Sequence, residues 1–271
     1  MGGVPSLQML PSFSIAALRL PPGCAVFLGD SLDSERGVIS GDRLVHLSII
    51  VPVLDEAAGI VDQLRSLQPL RARGAEIIVV DGGSTDGTRE LAAPLADRVI
   101  AAARGRALQS NAGARDAGGD SLLFLHADTR LPDAADRLIG DALAAPHVWG
   151  RFDVRIAGRH PMLRVVAAMM NLRSRLTGVA TGDQAMFMTR TAFERSGGFP
   201  PIALMEDIAL SRALLRRSRP ACLRARVTTA GRRWERHGVW RTIFLMWRLR
   251  LAYFLGAEPA RLATRYRPDD H

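Results

Sequence analysis

The chain has 271 residues, of which 48% are hydrophobic and 23% charged, proportions that are typical of a folded globular protein and exclude a disordered one. The formal net charge is +9, and all 36 basic residues are arginines because the sequence contains no lysine. Arginine binds phosphates and carboxylates through paired N–H groups, so this charge fits phosphorylated ligands, nucleic acid or anionic lipid, although uniform arginine use equally reflects genomic base composition. No segment reaches the roughly 18 uninterrupted apolar residues of a membrane span.

Residues 1–44 carry the weakest structural signal. Val4 to Leu28 is apolar in patches but holds four prolines and Arg19, and it lacks the charged start of a signal peptide. We therefore expect an N-terminal extension, either disordered or a product of start-site choice. The two cysteines, Cys24 and Cys222, are far apart and form no metal or redox motif, which favours a reduced, cytoplasmic compartment.

Three short apolar runs, each followed by a polar turn, predict strands buried on both faces of a sheet. They are 47–53, 76–80 and 121–125, and a fourth, shorter strand is expected at 98–101. Helical patterns follow these runs, beginning near residues 56, 87, 106 and 132. Strands that alternate with helices indicate an open, mostly parallel sheet with right-handed crossovers.

Acidic residues follow each of the three apolar runs. Asp55 and Glu56 follow the first, Asp81 and Asp86 the second, and Asp128 the third. Ligands of parallel sheets bind beyond the carboxyl ends of the strands, so we expect these acids to meet at one edge. Like charges there would repel unless a cation or a polar ligand offsets them. The alternative is a set of ordinary turns with solubilising aspartates.

The pattern changes after residue 146. We expect an antiparallel strand at 149–156, a long helix at 161–176, a short strand at 182–188, a helix ending at 197–198 and another beginning near 205. These elements divide the chain into the extension, a domain at 45–220 and a basic amphipathic helical region at 221–271. The segment 243–255 mixes aromatic residues with arginines, so it either lies on an anionic membrane or packs on the sheet or across a homodimer.

Four motifs in this order and spacing resemble those of family 2 glycosyltransferases. They are Ser48-Ile49-Ile50-Val51-Pro52 with Glu56, Val80-Asp81-Gly82-Gly83-Ser84-Thr85-Asp86-Gly87-Thr88, His126-Ala127-Asp128-Thr129 and Met205-Glu206-Asp207. The resemblance covers roughly residues 46–250 and implies the GT-A fold: a Rossmann-like, mostly parallel sheet flanked by helices, with an antiparallel and helical acceptor-side region. Gly105-Arg106-Ala107, Asn111-Ala112-Gly113-Ala114 and Arg232-Arg233-Trp234-Glu235 resemble a bacterial subgroup labelled as arsenosugar-type or diaponeurosporenoate (carotenoid) glycosyltransferases.

The resemblance implies an inverting hexosyltransferase-type enzyme that uses a nucleotide-diphosphate sugar. It places Pro52, Glu56 and Asp81 at the nucleoside, with Gly83 and Asp86 in the same donor-binding turn. Arg104 and Arg106 would contact the donor diphosphate or sugar, the alternative being exposed loop arginines. Asp183 would line the acceptor or donor-sugar side, the alternative being a tight turn.

For the chemistry, the resemblance implies that Asp128 binds Mg²⁺ or Mn²⁺ as part of a D-x-D motif. His126 replaces the first acid of that motif, so only one carboxylate is expected there. His237, together with residues 232–234, would close over the diphosphate or complete the metal site, the alternative being an exposed loop histidine. Asp207, with Glu206 as the second choice, would remove the proton from the acceptor hydroxyl. The alternative for this pair is favourable charge at a helix N-terminus.

Two other functions compete with this interpretation. A nucleotidyltransferase of similar fold would need a glycine- and lysine-rich phosphate loop, and the chain has no lysine. A nucleic-acid-binding protein would suit the charge, but no binding module is recognisable. We therefore expect a nucleotide-diphosphate sugar donor, a small-molecule or lipid-like acceptor and no nucleic acid, in a cytoplasmic enzyme with peripheral membrane contact.

Overall fold

A computed structural model describes residues 46–144 and 146–266. The extension expected at 1–44 lies outside this part of the chain. The strands are β1 (Leu47–Val53), β2 (Glu76–Asp81), β3 (Arg98–Ala101), β4 (Ser121–Phe124), β5 (Thr129–Arg130), β6 (Trp149–Ala157), β7 (Phe187–Thr189) and β8 (Ala221–Ala230). The helices are α1 (Ala57–Ala72), α2 (Thr88–Ala92), α3 (Arg106–Asp116), α4 (Ala135–Ala144), α5 (Met162–Thr177), α6 (Arg190–Arg195), α7 (Glu206–Leu215), α8 (Arg232–His237), α9 (Val239–Phe254) and α10 (Pro259–Tyr266).

All the strands belong to one sheet with the order β3-β2-β1-β4-β7-β6-β8-β5. The first four are mutually parallel, and β7 pairs antiparallel with both β4 and β6. The expected fold class is therefore confirmed: a mostly parallel sheet with helices on it, followed by a mixed region. Among the described helices, none combines the length and apolar character needed to cross a bilayer.

The parallel strands are apolar on both faces because helices cover both sides of the sheet. Ile49 and Val51 of β1 face the cluster that α1 completes, and Ile50 faces the opposite cluster, which contains residues of α3. On that side the helix lies very close to the strands. A Cβ added to Gly113 of α3 would come within 2.5 Å of the Ile50 side chain, so the helix can approach only because this residue is glycine.

Two expectations for the second half of the chain need correction. The strand expected at 182–188 is wrong in its first part, because residues 182–184 form a 3₁₀ turn and β7 begins only at Phe187. The turn is stabilised by the Thr181 N–H, which donates to the Gln184 side chain at 3.2 Å, and Ala185 then takes a left-handed conformation with φ 46°. Residues 221–230 form β8, a strand inside the sheet, so the helical region starts at Arg232 rather than at residue 221.

The last two helices pack against the start of α7. Leu249 of α9 and Leu262 of α10 form a small buried cluster with Met205 and Ile208. This packing brings the C-terminal helices alongside the segment that carries Glu206 and Asp207. The C-terminal region therefore forms part of the wall around the carboxyl edge of the sheet.

Candidate active site

A cavity of about 580 Å³ opens at the carboxyl ends of β1 and β4. It brings together seven of the residues that the sequence predicted for the site: Pro52, Glu56, Arg104, Arg106, Asp128, Asp183 and His237. Five predicted residues do not line it: Asp81, Gly83, Asp86, Glu206 and Asp207. The walls are completed by residues of α5, α8, α9 and α10, including Met170, Trp234, Met246 and Tyr266.

Asp55 and Asp86 connect the two loops at the rim of this cavity. The backbone N–H of Thr85 donates to Asp55 Oδ1 at 2.8 Å, and the N–H of Ala57 donates to Asp86 Oδ2 at 2.9 Å. A hydrogen bond from the Thr88 side chain, and then the one from Ala57, lower the pKa of Asp86 below its ordinary value. Each loop therefore uses its aspartate to satisfy the backbone of the other loop.

Asp81 is also committed to the backbone. It is 1% exposed, and its carboxylate accepts from the N–H groups of Gly83 and Ser84, both at 3.1 Å. Gly83 has φ 96°, a left-handed conformation that suits glycine, and this bends the loop around the carboxylate. Asp81 thus shapes the loop that follows β2 and does not line the cavity.

The expected meeting of acids is found between Glu56 and Asp128, and an arginine lies between them. Arg232 Nη2 is 3.3 Å from Glu56 Oε2 and 3.9 Å from Asp128 Oδ2. In this structure the guanidinium of Arg232 offsets the negative charge of the two acids, a role that the sequence analysis gave to a cation or a polar ligand. Because its side chain is 60% exposed, Arg232 can move aside at low cost when a ligand enters.

The side chains that line the cavity could hold a divalent cation only if a bound diphosphate supplied most of the coordination. In the described part of the chain, no three histidine, cysteine, aspartate or glutamate side chains lie close enough to hold a metal by themselves. Asp128 and His237 both line the cavity, and Mg²⁺ is commonly bound by one or two carboxylates together with substrate phosphates. This donor set is therefore compatible with a metal completed by a diphosphate.

His126 and Asp183 contact each other on the wall of the cavity. Its Nδ1 lies 3.3 Å from Asp183 Oδ1. Burial acts to raise the pKa of Asp183, but the hydrogen bond and charge of His126, together with Arg106 and Arg250, hold it below its ordinary value. The ring packs directly on Gly182, where an added Cβ would collide with Nε2. A glycine at this position is thus required for the observed orientation of His126.

Glu206 and Asp207 lie behind this pair, at the start of α7. Glu206 lines a separate small pocket of about 30 Å³, which shares Pro52, Arg106 and His126 with the cavity. Burial, followed by the negative charge of Asp207, raises the pKa of Glu206. Asp207 Oδ2 accepts from the Gly182 N–H at 2.9 Å, which fixes α7 to the turn that carries Asp183.

Arginines surround these carboxylates. Burial opposes the charge of Arg106, yet Tyr266, Glu206 and the nearby aspartates together hold its pKa above the ordinary value. Arg250 belongs to α9 and Arg173 belongs to α5, and burial lowers the pKa of both side chains. In Arg173 the buried Nε and Nη2 atoms have no hydrogen-bond partner, and its pKa falls to about 10.

Comparison with known proteins assigns this arrangement to a family. Residues 48–196, more than half of the chain, match the family described as Glycosyl transferase family 2. The chain belongs to glycosyl transferase family 2. This glycosyltransferase is 41% identical over 121 residues to the succinoglycan biosynthesis protein ExoA of Rhizobium meliloti (strain 1021). That match covers 39% of the chain and only 36% of the relative's length. The arsenosugar-type or carotenoid-type subgroup stays a prediction.

Solved structures support the GT-A fold of the glycosyltransferase. The mannosyltransferase PcManGT of Pyrobaculum calidifontis, in complex with GDP-Man and Mn²⁺, has a TM-score of 0.55 and 22% identity, covering 82% of this chain and 69% of its own. S. aureus TarS 1–349, in complex with UDP-GlcNAc, has a TM-score of 0.57 and 19% identity, covering 68% of this chain and 58% of its own. At such identities the likeness concerns the fold alone.

The cavity of the glycosyltransferase also contains residues that the sequence did not single out. Gln109 of α3 is buried, and its Nε2 donates to the carbonyls of Val53 and Val80, both at 2.8 Å. It therefore joins the ends of β1 and β2 directly beneath the ligand space. The available signal was a long polar side chain four residues before Gly113, which places it on the same face of α3 as that glycine. Tyr266 and Arg236 gave no comparable signal, because they reach the cavity only through tertiary packing.

Proposed function

We propose that this glycosyltransferase moves a sugar from a nucleotide-diphosphate donor to an acceptor hydroxyl, with inversion at the anomeric carbon. The observation that carries the proposal is the cavity at the carboxyl edge of the parallel sheet. Asp128, Arg104 and Arg106 line it, and Arg232 lies 3.9 Å from Asp128, a combination that suits a diphosphate and its counter-ion. The nucleotide-sugar complexes of the two similar structures are consistent with this donor class.

The donor would lie with its nucleoside toward β1 and β2. Pro52 and Glu56 line the cavity, and the loop shaped by Asp81, Gly83 and Asp86, which is hydrogen-bonded to the segment that follows Glu56, would border the nucleoside on its outer side. Arg106 lines the cavity, and its charge would attract the diphosphate or the transferred sugar. Arg104 lines the same wall.

The metal would be Mg²⁺ or Mn²⁺, held by Asp128 with His237. Such a cation stabilises negative charge on the leaving diphosphate. The similar mannosyltransferase structure contains Mn²⁺, which makes that ion the first choice for an assay. Arg232 would exchange its present contact with Asp128 for one with a phosphate oxygen.

The base would be Asp207, and Glu206 is the alternative. Asp207 is held in place by the Gly182 N–H, and the turn at 182–184 positions Asp183 on the cavity wall. Glu206 lines the small pocket next to the cavity, and its raised pKa disfavours the charged form that a base requires at neutral pH. The acceptor hydroxyl would enter from the side of α5 and α9.

The apolar wall on that side suits a small-molecule or lipid-like acceptor. Met170 and Met246 line it, and Ile156 extends it toward β6. A lipid-like acceptor would be presented at a membrane, so the proposal includes peripheral contact of the enzyme with the cytoplasmic face of the cell membrane.

A two-stage experiment tests the proposal. Thermal-shift measurements with nucleotide-diphosphate sugars, with and without Mn²⁺, should show stabilisation that needs both components. With the donor identified, release of nucleoside diphosphate should fall by at least about a hundredfold in Asp128→Ala and Asp207→Asn, while circular dichroism stays unchanged. Full turnover in Asp207→Asn together with loss in Glu206→Gln would reverse the roles of the two carboxylates. No stabilisation by any donor would contradict the proposed substrate class.

A further inference from the structure

Two helices on one side of the molecule carry apolar stripes that remain exposed. On α5 the stripe consists of Val165, Met169, Leu172 and Leu176, which are 49–60% exposed. On α9 it consists of Trp240, Phe244, Trp247, Leu251 and Phe254, which are 52–64% exposed. In both helices the residues recur every three or four positions, so each set lies on one helical face. We call the two stripes together the α5/α9 face.

The two stripes belong to one region of the surface. The two helices lie close together, because Arg173 of α5 and Arg250 of α9 are near enough for their charges to repel each other. Both helices also border the cavity, through Met170 and Met246. On each helix the exposed stripe lies about a third of a turn around from the cavity-lining residue, at roughly 100° per residue. The α5/α9 face is therefore adjacent to the cavity wall rather than part of it.

The charges on these helices have a single sign. Neither α5 nor α9 contains an aspartate or glutamate, whereas Arg164, Arg241 and Arg248 are exposed among the apolar residues. Tryptophan and phenylalanine with flanking arginines form the pattern of a surface that lies in a lipid headgroup region. Arginine stems pack along apolar surface while their charged ends reach phosphates.

We propose that the α5/α9 face docks the enzyme on an anionic lipid bilayer. Such a bilayer supplies what the face lacks: an apolar phase for the stripes and phosphate groups for the arginines. A second copy of the chain supplies only the first, because a two-fold contact would place arginines against arginines with no carboxylate on either helix. The occupant is therefore a membrane. The orientation also sets the cavity wall formed by Met170 and Met246 next to the lipid surface.

The test uses the full chain and two kinds of vesicle, one of phosphatidylcholine alone and one of phosphatidylcholine mixed with phosphatidylglycerol. We expect co-sedimentation with the mixed vesicles, weakened by salt, and little with phosphatidylcholine. Phe244→Ser with Trp247→Ser should weaken binding at least about tenfold, and so should Met169→Ser with Leu172→Ser. Leu91→Ser, at an exposed leucine on α2, is the matched control and should bind as the wild type does.

Two further measurements separate this inference from the proposed reaction and from the other occupants. Asp207→Asn should bind the mixed vesicles as well as the wild type, because docking does not require turnover. Sedimentation velocity without lipid should show a monomer. The proposal would be overturned if the protein formed a stable dimer that the stripe substitutions dissociate. It would also be overturned if the full-length monomer bound neither kind of vesicle. If only the α9 variant lost binding, the docking surface would consist of α9 without α5.

Discussion

Replacing Arg173 with methionine should make the protein more stable. Two nitrogen atoms of the Arg173 guanidinium, Nε and Nη2, are buried without a hydrogen-bond partner. Burial, followed by repulsion from Arg250, lowers its pKa to about 10. A lowering of this size corresponds to about 3 kcal/mol against the charged form in the folded state. Methionine keeps the apolar stem but loses the attraction of Asp207, so we expect a net gain of about 1–2 kcal/mol.

The gain should depend on pH in a defined way. Because the folded-state pKa of Arg173 is depressed, the cost of its charge is present at every pH below about 10 and disappears only as the pH rises above that value. Urea denaturation should therefore show a constant difference between variant and wild type across the neutral range. Arg164→Met, on the exposed side of the same helix, is the control and should change stability little. A variant less stable than the wild type by more than 1 kcal/mol would refute the reasoning.

Three other substitutions probe separate parts of the structure. Gly113→Ala should cost about 1–3 kcal/mol in urea denaturation, because its Cβ would enter the closely packed sheet, whereas Gly59→Ala on α1 meets no neighbour and should not destabilise. Gly182→Ala should displace the ring of His126 and lower turnover while Tm changes little. A large fall in Tm together with the loss of turnover would contradict this. Glu206→Gln should raise stability at neutral pH, because burial raises the pKa of Glu206, and this gain should vanish in acid, below the ordinary carboxyl pKa. An equal gain at both pH values would exclude the charge as the cause.

The parallel half of the fold could be predicted because its signal is local. A run such as Ile77 to Val80 is apolar at every position, and this is expected only when helices cover both faces of the sheet. The acids after the strands were likewise correctly placed at the carboxyl edge, since topology alone brings them there. What they do at that edge could not be predicted. Asp55, Asp81 and Asp86 are engaged by backbone N–H groups, and only tertiary contacts determine this.

The C-terminal half was predicted less well because its patterns depend on partners distant in the chain. Strand β8 contains Arg224 and Arg226, so it lacks the apolar run of a buried strand, and it is specified by pairing with β6. The apolar spacing of α5 predicted the helix correctly. Such spacing normally marks a core face, and the sequence could not show that Met169 and Leu172 remain exposed.

The rim formed by Asp55 and Asp86 has a consequence for ligand recognition. The two loops are held by four hydrogen bonds of 2.8–2.9 Å, in which the backbone N–H groups of residues 55, 56, 57 and 85 donate to side-chain oxygens of the other loop. An incoming nucleotide would therefore meet a boundary that is already ordered, and little conformational entropy would be lost there on binding. In the proposed arrangement, adaptation to a different acceptor would then be easiest on the opposite wall, in α5 and α9. Changes in acceptor choice would arise there without disturbing the proposed nucleotide side.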